Sequence, residues 1–124
     1  MLKSDEEWRE ELTQEQYHIL KEKGTEPAFS GKYNHWEETG TYLCAGCSKP
    51  LFRSEDKYDS GTGWPSFIRP CERNAICYEE DRHQIEVLCD NCRGHLGHVY
   101  DDGPLPTKKR YCINSIALNF EGEK

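Results

Sequence analysis
The chain has 124 residues, only 35% of them apolar, and carries a formal net charge of −7. That length fits one compact domain over residues 1–124, with a core thin enough to lean on a metal or a cross-link. The acidic balance and the absence of any Lys/Arg-rich run exclude a nucleic-acid backbone as partner, and equally a polybasic membrane contact.

The N-terminal MLKSDEEWREELTQ is acidic and lacks the apolar stretch of a signal peptide. No segment approaches the roughly 20 apolar residues that span a bilayer. Seven cysteines in such a chain point to a reducing compartment, the cytoplasm by default, and to metal or catalytic use. Ser4-Asp5-Glu6-Glu7 and Thr13-Gln14-Glu15-Gln16 both read as capping boxes. They predict short helices over about 5–11 and 14–22, stopped by Gly24, that cover one end of the domain. Residues 25–34 read as loop. Beyond them come short strand-like stretches broken by Gly, Pro and Asp: TGTYLC, KPLFRSEDKY, RNAICYEE, HQIEVLC, GHVYDD and YCINSIALNF. The pattern predicts a mainly antiparallel β domain with a small helical N-terminus.

Cys44-Ala45-Gly46-Cys47 and Cys89-Asp90-Asn91-Cys92 are two Cys-x-x-Cys knuckles. Each aims two thiolates at one point, with Gly46 relieving the tight bend, and together they make the tetrahedral four-cysteine set of a structural zinc site. A redox dithiol is the competing reading, but no βαβ pattern surrounds either pair. His95 and His98 follow closely enough to stand in as ligands, although four thiolates already close such a site.

Three further features carry possible chemistry. YDSGTGWPSF (58–67) places Gly61 and Gly63 before Trp64, so the loop either presents the tryptophan at a surface or turns it into the core. GHLGHVYDDGP (94–104) holds His95 and His98, each a structural histidine or a proton donor near neutral pH. Finally, a strand over 110–120 would put Arg110, Cys112 and Asn114 on one face, followed by Ile116, Leu118 and Phe120. A cation beside a thiol lowers its pKa from roughly 8.5 toward the reactive thiolate, so Arg110 would activate Cys112 and Asn114 would donate to it. A buried, inert cysteine is the alternative.

SGTGWPSF, then CDNCRGHLGHVYDDGPLPTKKRYCINS, with the earlier CAGC, resemble the type B methionine sulfoxide reductases, which act on the R epimer. The resemblance runs from about Trp8 to Phe120. It implies two antiparallel sheets in a compact, barrel-like domain with structural Zn2+ on Cys44, Cys47, Cys89 and Cys92. It implies Cys112 as the nucleophile that becomes a sulfenic acid, Trp64 as the cradle for the substrate methyl group, and His95 or His98 as the acid. Asn114, Arg110 and Asp102 would position substrate or tune the thiol. Oxidised proteins or peptides would be the substrate, a thiol such as thioredoxin or dithiothreitol the reductant, and a monomer the working form.

Many members of that family carry a resolving cysteine within the tryptophan loop, and Thr62 stands at that position here. A one-cysteine enzyme reduced directly by an external thiol is therefore expected, with Cys71 or Cys77 as alternative resolvers. The competing class is a non-catalytic, zinc-ribbon-like module that docks a peptide on Trp64. It leaves His95, His98 and Asn114 without a task.

Overall fold
A computed structural model describes residues 5–34 and 36–122. Two helices open the chain, α1 (Asp5–Glu11) and α2 (Gln14–Glu22). Ser4 and its capping box lie outside the described residues. At α2 the second box is present in full: Thr13 Oγ1 accepts from the Gln16 N–H and Gln16 Oε1 from the Thr13 N–H, both at 3.1 Å. The stop differs from expectation. Lys23, not Gly24, takes the left-handed conformation (φ 56°), and the Gly24 N–H closes the turn on the His18 carbonyl at 3.0 Å.

Nine strands follow among the described residues: β1 (Gly40–Cys44), β2 (Pro50–Arg53), β3 (Lys57–Tyr58), β4 (Ser66–Phe67), β5 (Ile76–Asp81), β6 (Gln84–Cys89), β7 (His95–Tyr100), β8 (Arg110–Ile113) and β9 (Leu118–Gly122). They form two antiparallel sheets, ordered β2-β1-β9 and β3-β4-β8-β7-β6-β5. Neither sheet closes on itself, so the barrel-like shape expected from the sequence resolves into two open sheets.

Two stretches expected as single strands are broken. KPLFRSEDKY splits at a 3-10 turn over Ser54–Asp56, and RYCINSIALNF at another over Ser115–Ala117. In both cases the halves join different sheets, and the turn is the corner where the chain crosses between them. The expected shared face from Arg110 to Phe120 therefore ends at Asn114.

The core lies between the layers. Phe52 of one sheet stacks on Phe67 of the other, with ring centroids 4.4 Å apart, and Tyr42, Leu51, Leu96 and Ile113 are buried around them. Burial of such side chains stabilises the fold by roughly 1.5–3 kcal/mol each. The helices cover the knuckle end. Trp8 fills the space over Gly46, where a Cβ would stand 2.4 Å from the indole, and Leu20 sits over Gly94. Gly46 is thus demanded by the packing of Trp8; the left-handed bends of the knuckles fall instead on Ser48 and Arg93 (φ 66° each).

Candidate active site and metal centre
The two knuckles meet. β1 ends on Cys44 and β6 on Cys89, and the turns beyond them converge so that the four Sγ atoms all lie within 4.8 Å of one another. Cys44 and Cys92 are 3.7 Å apart, Cys47 and Cys89 3.5 Å. A metal bound tetrahedrally at the zinc–sulfur distance of about 2.3 Å needs sulfurs about 3.8 Å apart, so the donor set fits such an ion. The four thiols are tightly coupled: hydrogen bonding led by Cys44 lowers Cys92 and Cys47, while Cys44 and Cys89 are raised, so binding a metal would displace the protons these two retain. The four thiols form a closed donor set, suited to a structural metal ion, between the two sheets. His95 is engaged elsewhere and is not one of its ligands.

Cys112 lies at the centre of the larger sheet. It is half-buried, paired with His98 on β7 and with Ser66 on β4. It opens into a cleft of about 190 Å³ lined by Thr25, Trp64, His98, Tyr100, Cys112 and Asn114, among others. Gly97 permits the close pairing of β7 with β8, since a Cβ there would stand 2.0 Å from the Cys112 carbonyl oxygen.

His95 and His98 are three residues apart, a spacing that points side chains to opposite faces of a regular strand. The β6–β7 register shifts between Val87 and Leu88, which pair with Gly97 and His95 and leave Leu96 as the extra residue. This β-bulge restores both imidazoles to one face, ring centroids 5.4 Å apart. His98 reaches the cleft; His95, 2% exposed, stands behind it. His95 Nδ1 lies 2.6 Å from Oε2 of Glu86, which is itself fully buried, while Lys23 Nζ lies 3.1 Å from Glu86 Oε1. Burial holds the His95 imidazole below the ordinary histidine range, against the opposing pull of Glu86. Lys23 lies within ion-pair distance of Glu86, and a neutral His95 donates from Nδ1 to it, leaving His95 Nε2 buried without a hydrogen-bond partner among the described residues.

Arg110 is committed to a two-pronged pair with Asp102, Nε at 2.8 Å and Nη2 at 3.1 Å, and lies 4.3 Å over the Tyr100 ring. It does favour the Cys112 thiolate, as does the Thr62 hydroxyl, but burial outweighs both and pushes the thiol up. Arg110 thus acts on Cys112 in the expected direction, while desolvation is the larger effect and sets the net direction in the open cleft. Asn114 is buried with both ends of its amide occupied, Nδ2 donating to the Leu96 carbonyl and Oδ1 accepting from the Glu26 N–H. Trp64 forms the opposite wall, its indole N–H donating to the Glu26 carbonyl at 2.9 Å.

The remaining cysteines stand apart from this cleft. Cys77 is on β5, three strands from β8, a separation of about 14 Å at ordinary strand spacing. Cys71 hydrogen-bonds to Leu51 beside the smaller sheet. Sequence reasoning missed Glu26 and Glu86. Glu86 was concealed by an alternation that reads polar-out, and Glu26 by a loop with no motif of its own.

A half-buried thiol facing a histidine in a tryptophan-walled cleft, with a separate four-cysteine cluster that could hold a metal, is the kind of arrangement found in enzymes that use thiol chemistry. A family model described as the SelR domain matches residues 12–122. The chain is 52% identical over 126 residues to a peptide methionine sulfoxide reductase MsrB of Methanosarcina barkeri, covering 98% of this chain and 89% of that protein. It is 54% identical over 125 residues to one of Bradyrhizobium diazoefficiens, covering 98% and 90%. A mitochondrial methionine-R-sulfoxide reductase B3 of Mus musculus is 50% identical over 121 residues, 96% of this chain and 48% of that protein. The chain belongs to this family, the type B methionine sulfoxide reductases, and is an oxidoreductase of that kind. No described helix is long and apolar enough to cross a membrane.

Proposed function
We propose that residues 1–124 form one domain that reduces the R epimer of methionine sulfoxide in oxidised proteins and peptides, with Cys112 as nucleophile. The observation that carries this is the pairing of Cys112 with His98 across two strands, both opening on the cleft walled by Trp64. The Cys112 sulfur attacks the sulfoxide sulfur, and the sulfoxide oxygen takes a proton, for which His98 is the group in place. The sulfur–oxygen bond then breaks. The oxygen passes as hydroxide to the Cys112 sulfur and the sulfur–sulfur bond made by the attack breaks, so that methionine leaves reduced by two electrons and Cys112 is oxidised by two electrons to a sulfenic acid that keeps the oxygen. Burial favours the protonated thiol in the open cleft, so the proton released by Cys112 is the one the oxygen needs, with His98 as carrier. The three substituents of the sulfoxide sulfur meet three different surroundings, which is what selection of one epimer requires: methyl on Trp64, oxygen toward His98, peptide chain outward.

By the resemblance Thr62 stands where many members carry a resolving cysteine, and neither Cys71 nor Cys77 lines the cleft at Cys112. Both facts support regeneration by an external thiol: one thiol forms a mixed disulfide with Cys112 and releases water, and a second frees Cys112 and leaves as the external disulfide. The four-cysteine site would hold Zn2+, which supplies rigidity to the turns bearing it. One chain supplies every part of the site, which favours a monomer, and a thiol-rich compartment such as the cytoplasm suits the reductant.

Turnover of a methionine sulfoxide peptide, resolved by epimer, tests the reading with dithiothreitol and with thioredoxin, in wild type and Cys112→Ser. Consumption of the R epimer alone, lost in the serine variant, is expected. Metal-loaded protein that consumes neither epimer would instead favour a non-catalytic module docking a peptide on Trp64.

A further inference from the structure
Glu26 takes no part in the reaction just described, yet it touches three parts of the site. It is 2% exposed. Its carbonyl accepts from the Trp64 indole, its N–H donates to Asn114 Oδ1 at 3.1 Å, and its Oε1 accepts from the Ile116 N–H at 2.9 Å. The other oxygen, Oε2, sits beside Ser115 in a space that exists because residue 31 is glycine, where a Cβ would stand 2.3 Å away. The neighbouring strap is fastened to the tryptophan loop as well, the Phe29 N–H donating to the Gly63 carbonyl at 2.7 Å. Gly63 (φ +95°) allows this approach, since a Cβ there would lie 2.8 Å from Ala28.

We infer that Glu26 is a positioning residue that sets the separation between the Trp64 ring and the Cys112 thiol, and with it the fit of the substrate's methyl group. Trp64 rides on a loop bent at two left-handed glycines, Gly61 and Gly63, which gives its ring little rigidity of its own. Cys112 stands on β8, and Asn114 and Ile116 follow it directly. The carboxylate fastens the strap to that floor, and the strap's carbonyl fastens Trp64. Burying a carboxyl group is costly, and an apolar side chain would fill the space at less cost. The reason to keep the acid is the bond it makes to the Ile116 N–H.

The inference rests on the substrate reading above, and Glu26→Ala and Glu26→Gln test it in the metal-loaded chain. In Glu26→Ala the KM for an R-sulfoxide peptide rises about tenfold while kcat changes much less, the effect of losing one well-made contact at the methyl wall. The Trp64 indole N–H resonance, identified among the three tryptophans by Trp64→Phe, moves and exchanges faster with solvent. Glu26→Gln keeps an acceptor for Ile116 and restores both values. Adding Trp64→Phe to Glu26→Ala raises KM no further than either change alone, because both cut the same link. An unmoved indole resonance and an unchanged KM in folded Glu26→Ala would overturn the inference. So would a KM defect as large in Glu26→Gln, the variant to rely on if the alanine protein does not fold. Wild-type protein without turnover would sink the substrate reading instead, and the indole resonance would then decide the role of Glu26 by itself.

Discussion

Cys112 and His98 are cross-strand partners on β8 and β7, and both line one cleft. Because directly opposed residues in an antiparallel pair keep their Cβ atoms about 4.5–5.5 Å apart, the backbone ladder itself places thiol and imidazole together. The pairing requires no loop to close and makes the chemistry of the sheet testable residue by residue.

Reactivity of the thiol comes first. Burial pushes Cys112 up, with Arg110 the largest opposing influence. Alkylation by iodoacetamide follows the thiolate, so its rate in metal-loaded protein should have a midpoint above about pH 8.5, the ordinary thiol value. Arg110→Met should raise that midpoint, slowing the reaction at neutral pH about tenfold for each unit of rise. A wild-type midpoint at or below the ordinary value would contradict this balance of forces.

Thr62 offers a gain-of-function experiment. Its hydroxyl is within reach of the Cys112 sulfur, so Thr62→Cys should form a 62–112 disulfide after one turnover without external thiol. Thiol titration would show two fewer free sulfhydryls, and thioredoxin should become the better reductant. Cys71→Ser and Cys77→Ser should leave turnover with dithiothreitol unchanged.

Behind His98, the Lys23–Glu86–His95 cluster predicts a pH dependence of stability. The folded His95 binds its proton at lower pH than the unfolded chain does. Its contribution to stability is therefore complete above about pH 6.5 and is lost as pH falls through the lower folded value. Tm should decline on acidification, and His95→Gln should flatten the decline. Glu86→Ala leaves the buried Nδ1–H without an acceptor and should cost about 1–3 kcal/mol at neutral pH, read by urea denaturation.

Removing the metal should loosen both sheets at once, because the ligands come from the ends of β1 and β6 and the turns after them. A chelator or Cys47→Ser should lower Tm by at least about 10 °C, since structural metal binding is coupled to folding free energy. Metal content measured beside the melting curve makes the comparison direct. Full stability in metal-free protein would mean that the core and helices suffice without the cross-link.

Much of this site is legible in the chain as written. The four knuckle cysteines stand in short motifs whose spacing has a local physical reason, a Cys-x-x-Cys turn aiming its thiols whatever surrounds it, while Cys112 stands out through its neighbours and the family resemblance. The β content follows likewise from alternation and turn residues. Features set by non-local contacts behave differently. The sequence alone does not indicate that RYCINSIALNF turns a corner at Asn114, because each half alternates as a strand should. Nor does HLGH announce that its histidines share a face, since the bulge at Leu96 depends on how β7 meets β6.

The two buried glutamates mark the limit most clearly. A carboxylate in a strand or loop reads as solvent-facing, and Ile85-Glu86-Val87 would put Glu86 in water. Instead Glu86 is fully buried and Ile85 is 39% exposed, because Lys23 and His95 arrive from other elements to partner the acid. Glu26 is held inside by the N–H of a residue 90 positions away. The sequence by itself determined which groups could do chemistry: the Cys112 thiol, the four knuckle thiols, the tryptophan and the histidines. The tertiary structure alone decided which histidine reaches the thiol, what fixes the tryptophan and how burial sets the thiol's proton, since each depends on the partners that folding brings into contact.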